Sequence, residues 1–256
     1  MQLPIYQVDA FARAAFRGNP AAIVPLTQWL PDALMQAIAE ENNLSETAFF
    51  VPEGSGYRIR WFTPAVEVDL CGHATLASAA VILDEGGAAS VRFQSRSGEL
   101  VVNREGDRYT LDFPAFIPQP CDEPPGLYGA LGAQPVSIAT ANYHLCVFET
   151  EDQVRALSPE MLALARAVSG VIVTAPGSGC DFVSRFFAPA KGIPEDPATG
   201  SAHCALTPYW SQRLGKKQLF ARQISKRGGE LWCEDRGSRV GIGGHAVKYL
   251  EGTISV

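Results

Sequence analysis

Arg60-Trp-Phe-Thr-Pro-Ala65 returns 125 residues later as Arg185-Phe-Phe-Ala-Pro-Ala190, and this pair of hexapeptides decides how the chain reads. Outward from it, Gly72-His-Ala-Thr-Leu-Ala77 returns as Gly200-Ser-Ala-His-Cys-Ala205 at an offset of 128, and Gly98-Glu-Leu100 as Gly229-Glu-Leu231 at 131. The blocks keep their order. A fixed order with an offset that grows in small steps is the trace of loop insertions between two copies of one fold. The expectation is an α+β protein of two similar domains with a small-molecule site in the cleft between them.

Composition agrees with a folded enzyme-sized chain. The 256 residues suffice for two ordinary domains, and 46% hydrophobic with 19% charged residues is a globular balance. No apolar run is long enough for a membrane span. The start, Met-Gln-Leu-Pro-Ile-Tyr, enters a strand-like pattern with no basic or apolar leader, so a cytoplasmic protein is expected. Net charge is −6 with the signs interspersed, which gives nucleic acid nothing to hold. Six cysteines lie singly at 71, 121, 146, 180, 204 and 233, without Cys-x-x-Cys, a pattern that points to reduced thiols rather than to disulfides or a zinc site. Phosphate-binding, dinucleotide-binding, zinc-protease and serine-nucleophile signatures are all missing, so no cofactor and no metal is expected.

Strand-like runs lie at 3–9, 21–26, 47–52, 57–63, 89–95, 99–104 and 108–113, echoed at 135–140, 143–149, 170–175, 181–187, 219–225, 229–234 and 238–242. An amphipathic helix is predicted at 31–40, with a counterpart from Pro159 to Val168 capped by Ser158. The stretch 74–83 is apolar almost all round, the mark of a buried helix, and 202–214 is its counterpart in the second half. Each half thus reads as a barrel-like sheet wrapped around one central helix. Four prolines between 118 and 125 make 115–135 the expected linker.

The candidate chemistry gathers at the helix starts. Unpaired backbone N–H groups and the dipole at Gly72-His73 and Gly200-Ser201 suit a carboxylate, so Gly72, Ala74, Gly200 and Ser201 are candidate substrate-binding residues. Glu46 stands where a polar turn passes into an apolar strand, and the 125 offset sets Val171 opposite it. A carboxylate confined to one copy is a candidate general acid/base, although a solvated strand-start carboxylate is the plainer reading. Asp196 either caps the second helix start or takes part in chemistry. Asp69 and Glu67, at the matching place in the first half, read as solvated charge. His73 opens the first buried helix and could carry a proton or serve as a cap. Cys71, at a helix N-terminus, is expected to have a lowered pKa, and its counterpart Thr199 is too weak an acid to be a second thiol-like base. Asn19, in Gly-Asn-Pro, is a turn residue or a substrate-binding amide, with a possible echo at Asn142.

Gly-Asn-Pro-Ala-Ala at 18–22, Asn-Leu-Ser-Glu-Thr-Ala-Phe at 43–49, the run from Phe62 to Thr75 and Glu-Asp-Pro-Ala-Thr-Gly-Ser-Ala at 195–202 together resemble the PhzF-like phenazine-biosynthesis family, which shares its fold with diaminopimelate epimerase and proline racemase. The resemblance implies domains at 1–114 with about 249–256, and at 115–248, because the last strand of such chains returns to the first domain. It also implies a homodimer and a cofactor-independent isomerase acting on a small carboxylate. Catalytic roles then fall on Glu46, His73 and Asp196, and carboxylate contacts on Gly72, Gly200 and Ser201. Two alternatives stay open: a racemase or epimerase using Cys71, and a binding or scaffold protein on the same fold.

Overall fold

The computed structural model describes all residues 1–256. In chain order the elements are β1 (Gln2–Ala10), β2 (Asn19–Pro25), α1 (Asp32–Asn42), β3 (Glu46–Glu53), β4 (Gly56–Phe62), β5 (Glu67–Val68), α2 (Gly72–Gly86), β6 (Ser90–Ser95), β7 (Gly98–Glu105) and β8 (Arg108–Pro114). They continue as β9 (Gln119–Pro120), α3 (Leu127–Leu131), β10 (Ser137–Thr140), β11 (His144–Val147), α4 (Glu151–Ala156), α5 (Met161–Ala167), β12 (Val171–Pro176), β13 (Phe182–Ala188) and β14 (Ile193–Asp196). The chain ends with α6 (Gly200–Leu214), β15 (Gln218–Gln223), β16 (Gly229–Asp235), β17 (Arg239–Gly244) and β18 (Ala246–Ser255). The result is a sheet-rich α+β fold. It divides into one unit of Met1–Asp112 with Gly243–Val256, and a second of Phe113–Ile242.

In the first unit β18 pairs antiparallel with β1 along the whole strand, from Gln2 opposite Ser255 to Ala10 opposite Ala246. From β1 the sheet continues through β2, β3, β4, β6 and β7 with pairings that alternate antiparallel, parallel, antiparallel, parallel, antiparallel. Side chains alternate between the two faces of a strand, and the two faces have different tenants. Ala22 and Val24 of β2 and Phe49 and Val51 of β3 pack with Met35, Ile38 and Ala39 of α1. The opposite parity, Asn19, Ala21 and Ile23 on β2 and Glu46 and Ala48 on β3, belongs to the face on which α2 contacts β1, β2, β3, β6, β7 and β18.

Helix α2 is buried from His73 to Val81 without a break, because Ala, Thr and Ser on its flanks let strands come close while Leu76 and Leu83 fill the gaps. Each fully buried leucine contributes roughly 1.5–3 kcal/mol. Gly87, at φ 64°, ends the helix in the left-handed conformation and donates its N–H to Leu83 O.

The second unit repeats that succession of pairings through β10, β11, β12, β13, β15 and β16. Its fifteen-residue helix α6 packs against β15 and β16, and Trp210 stacks on Phe182 while donating its indole N–H to Thr174 Oγ1 at 3.0 Å.

Two local expectations need correction. The helix predicted from Pro159 starts at Met161, and its cap is Glu160, whose carboxylate accepts from Leu162 N and Ala163 N, not Ser158. Two acceptor oxygens on a longer side chain reach both open donors at once. The stretch 115–135 is also more than a linker. It contains β9 and α3, and Leu127, Ala130 and Leu131 of α3 lie in the core of the second unit. The prolines at 124 and 125 end just before this helix, where proline's fixed φ costs nothing.

Candidate active site

Three short segments of the first unit converge on one imidazole. Gly18 makes the approach of β2 possible: at φ 63° a side chain is strained, and a Cβ there would lie 2.0 Å from Ala10 O. The next residue, Asn19, is fully buried and sets its Nδ2 3.2 Å from His73 Nδ1. Glu46 enters from the first position of β3, beside Ala21 in the parallel β2 register, and its Oε2 lies 3.1 Å from His73 Nε2. Cys71, the N-cap residue of α2, brings Sγ to 3.5 Å from His73 Nδ1.

The register explains why these groups meet. Glu46 and Asn19 both have the strand parity that faces α2, and His73 lies in the first turn of that helix. No side chain caps the α2 start, so its first N–H groups keep their capacity to bind an anion. Thr75 instead anchors the turn by donating Oγ1–H to Cys71 O at 2.5 Å.

Electrostatics corrects one expectation. Burial, with Glu46 as a nearby like charge, pushes the Cys71 thiol up to about 11, against the lowered value its helix position suggested. Desolvation outweighs the dipole when the thiol has lost its water. Burial also resists charge on His73, yet the Cys71 and Glu46 groups beside it hold its pKa well above the ordinary histidine value. With Cys71 a neutral thiol near pH 7, the counter-charge that matters is the Glu46 carboxylate.

In the second unit Asp196, at the end of β14, accepts a hydrogen bond on Oδ2 from Thr199 Oγ1. Gln223, buried on β15, clamps the same loop: its Oε1 accepts from Thr199 N at 2.8 Å while Nε2 donates to Asp196 O at 2.7 Å and to Thr199 Oγ1 at 3.0 Å. Asn142 donates Nδ2–H to Ser201 O at 3.0 Å, at the start of α6. His203 donates Nδ1–H to Thr199 O at 2.8 Å, and burial lowers its pKa to about 4, so it is a neutral structural imidazole.

The repeated hexapeptides take on a concrete role. Arg60 forks onto both oxygens of Glu67 at 2.7 and 2.8 Å, and Arg185 onto both oxygens of Glu195 at 2.7 and 3.1 Å. Each carboxylate stands on the segment that leads into a buried helix. Glu67 is therefore an ion-paired group, held below the usual carboxylate range by the Arg60 guanidinium, and not the solvated charge expected of it.

Of the residues singled out in the sequence, the structure brings Glu46, Cys71, His73 and Asn19 together and places Gly72 and Ala74 in the same helix turn. Asp196, Gly200 and Ser201 gather around the α6 start of the second unit. Gln223 went unread, although a polar residue in phase with the inward Leu219 and Ala221 is the sequence signal of a buried hydrogen-bonded amide.

The phenazine biosynthesis-like protein family model matches residues 8–252. A protein named as an uncharacterized isomerase from Pseudomonas aeruginosa is 57% identical, with 99% of each chain covered. The solved structure of a phenazine biosynthesis protein of the PhzF family from Enterococcus faecalis superposes with a TM-score of 0.96 at 46% identity, covering 100% of both chains. A predicted epimerase from Pseudomonas aeruginosa, at 20% identity with 99% of each chain covered and a TM-score of 0.77, shares the fold. No helix is long and apolar enough to cross a membrane.

Proposed function

Because this chain belongs to the phenazine biosynthesis-like PhzC/PhzF family, we propose that it is a cofactor-independent isomerase that moves a proton on a small carboxylated substrate. The observation that carries this reading is the buried Glu46–His73 pair, 3.1 Å between Oε2 and Nε2. Glu46 takes the proton from an acidic C–H and returns it to a second carbon of the same molecule, so the net change is a shift of one proton and one double bond. His73 faces the carboxylate with Nε2 and steadies the charge that alternates between base and substrate. The N–H groups of the first α2 turn, at Gly72 and Ala74, are the donors for the substrate carboxylate. Relatives named as isomerases support the reaction class.

Asp196, Gly200 and Ser201 are proposed to serve the same reaction, and the matching succession of strand pairings supports reading the two units as copies of one fold. The cytoplasmic, homodimeric state expected from the sequence belongs to this proposal too.

The test is solvent exchange. A panel of small carboxylic acids with acidic C–H bonds is incubated in heavy water and followed by proton NMR. Wild type should isomerise one of them, Glu46→Gln should abolish turnover, Asp196→Asn should lower it, and Cys71→Ser should retain most of it. Loss of activity in Cys71→Ser with retention in Glu46→Gln would replace the glutamate mechanism with a thiol one. A racemase is disfavoured because the Cys71 thiol is pushed up to about 11 and Thr199 stands where a second thiol is needed.

A further inference from the structure

Glu46, Cys71 and His73 present one carboxylate oxygen, one sulfur and one imidazole nitrogen within 4.8 Å of one another. All three residues are at least nine-tenths buried. Zinc takes these three donor types, with bonds of about 2.3 Å to sulfur and about 2.0–2.2 Å to nitrogen and oxygen, so tetrahedral ligand atoms lie roughly 3.3–3.6 Å apart. Here Nε2 of His73 is 3.1 Å from Glu46 Oε2 and 4.0 Å from Cys71 Sγ. No pair of the three ligand atoms is more than 4.8 Å apart, so side-chain rotations close the set.

A second observation points the same way. Apart from its contact with His73, the buried Glu46 Oε2 has no hydrogen-bond partner. The groups around it, an imidazole and a thiol, are the two other donor types that zinc accepts beside a carboxylate oxygen.

We propose that Glu46, Cys71 and His73 form a Zn²⁺ site, and that the bound cation shuts the proton-transfer pair. Zn²⁺ replaces the thiol proton and any proton on His73 Nε2, releasing both to solvent, and no electrons move. Water fills the fourth position, as at other three-ligand zinc centres. Hard cations such as Mg²⁺, which prefer all-oxygen shells, are excluded by the sulfur. The cysteine pattern hides this site because its ligands come from a strand start and a helix start rather than from a Cys-x-x-Cys loop. The binding claim extends beyond the proposed isomerase and is read without any substrate, so the two can fail separately.

The experiment titrates the intact protein with Zn²⁺ against a chromophoric chelator and, in parallel, with Co²⁺ by absorption. Wild type should bind one Zn²⁺ per chain more tightly than about 10 μM, leave Mg²⁺ unbound, and show a thiolate-to-cobalt charge-transfer band. Cys71→Ser, His73→Gln and Glu46→Gln should each weaken Zn²⁺ by more than about tenfold, with folding checked by thermal melting. Cys233→Ser, which alters a thiol of the second unit, should change it less than about twofold. Absence of the charge-transfer band in wild type overturns the proposal even where a variant fails to fold, and so does unchanged Zn²⁺ affinity in Cys71→Ser.

Discussion

Asn19 Nδ2 lies 3.2 Å from His73 Nδ1 while Glu46 Oε2 lies 3.1 Å from Nε2 of the same ring. The amide holds the Nδ1 edge of the ring and the carboxylate the Nε2 edge, so the two together fix how the imidazole faces Glu46. Beside the substrate-binding role expected of it, Asn19 is thus placed to orient the histidine.

Asn19→Leu removes that amide at nearly constant volume. The expected result is a fall in turnover of about tenfold, the equivalent of one hydrogen bond of about 1–1.5 kcal/mol. In ¹⁵N spectra of the histidine side chains, the His73 ring signals should also shift. An unaltered His73 signal in the folded variant would remove Asn19 from the positioning role.

The two arginine forks should dominate local stability. The Arg185 and Glu195 side chains are only 13% and 23% exposed, and Arg185 Nη1 also donates to Val154 O at 3.1 Å and Leu157 O at 2.7 Å. Arg185→Met strands Glu195 and those carbonyls, with an expected loss of about 3 kcal/mol. Arg58, 47% exposed and paired with the 45% exposed Glu53, is the control, and Arg58→Ala should cost less than about 1 kcal/mol. Urea unfolding of both variants decides the matter, and equal midpoints would contradict the burial argument.

His203 supplies the pH dependence. Its folded pKa of about 4 lies below the ordinary histidine value, because burial penalises the charged ring. Between about pH 6.5 and 4 the unfolded chain therefore binds a proton that the folded chain refuses, and stability falls as pH falls through that window. The shift corresponds to on the order of 3 kcal/mol. His203→Gln should flatten the pH dependence of the urea midpoint across this range, and an unchanged slope would assign the acid sensitivity to other groups.

Strand positions were readable because runs of β-branched and aromatic residues are bounded by turn residues, and the buried helices because α2 lacks a polar face and α6 repeats its glycine-led start. Even the pairing of Glu46 with Val171 coincides with the first residues of β3 and β12. What stayed hidden depends on side-chain reach across segments distant in sequence. Nothing local to Cys71 says that the thiol is dehydrated, and nothing near Glu67 says that Arg60 will fork onto it. The α3 turn was masked by its prolines, since composition reports the entry to a helix as readily as a linker.

Gln223 carries the last prediction. Its amide satisfies Thr199 N, Thr199 Oγ1 and Asp196 O together, and Thr199 in turn holds the Asp196 carboxylate. Gln223→Leu keeps the volume but strands a buried donor and a buried acceptor, each costing about 1–3 kcal/mol. The protein should therefore lose several kcal/mol of stability by urea unfolding. Gln223→Glu retains the acceptor for Thr199 N but turns the donor to Asp196 O into a second acceptor, so the loop should loosen without a cavity. If Asp196 serves the reaction through its fixed orientation, Gln223→Glu should lower kcat while leaving KM within about twofold, because the bound geometry and not the binding is disturbed. A rise in KM alone would make Gln223 a determinant of substrate binding and remove it from the positioning of Asp196.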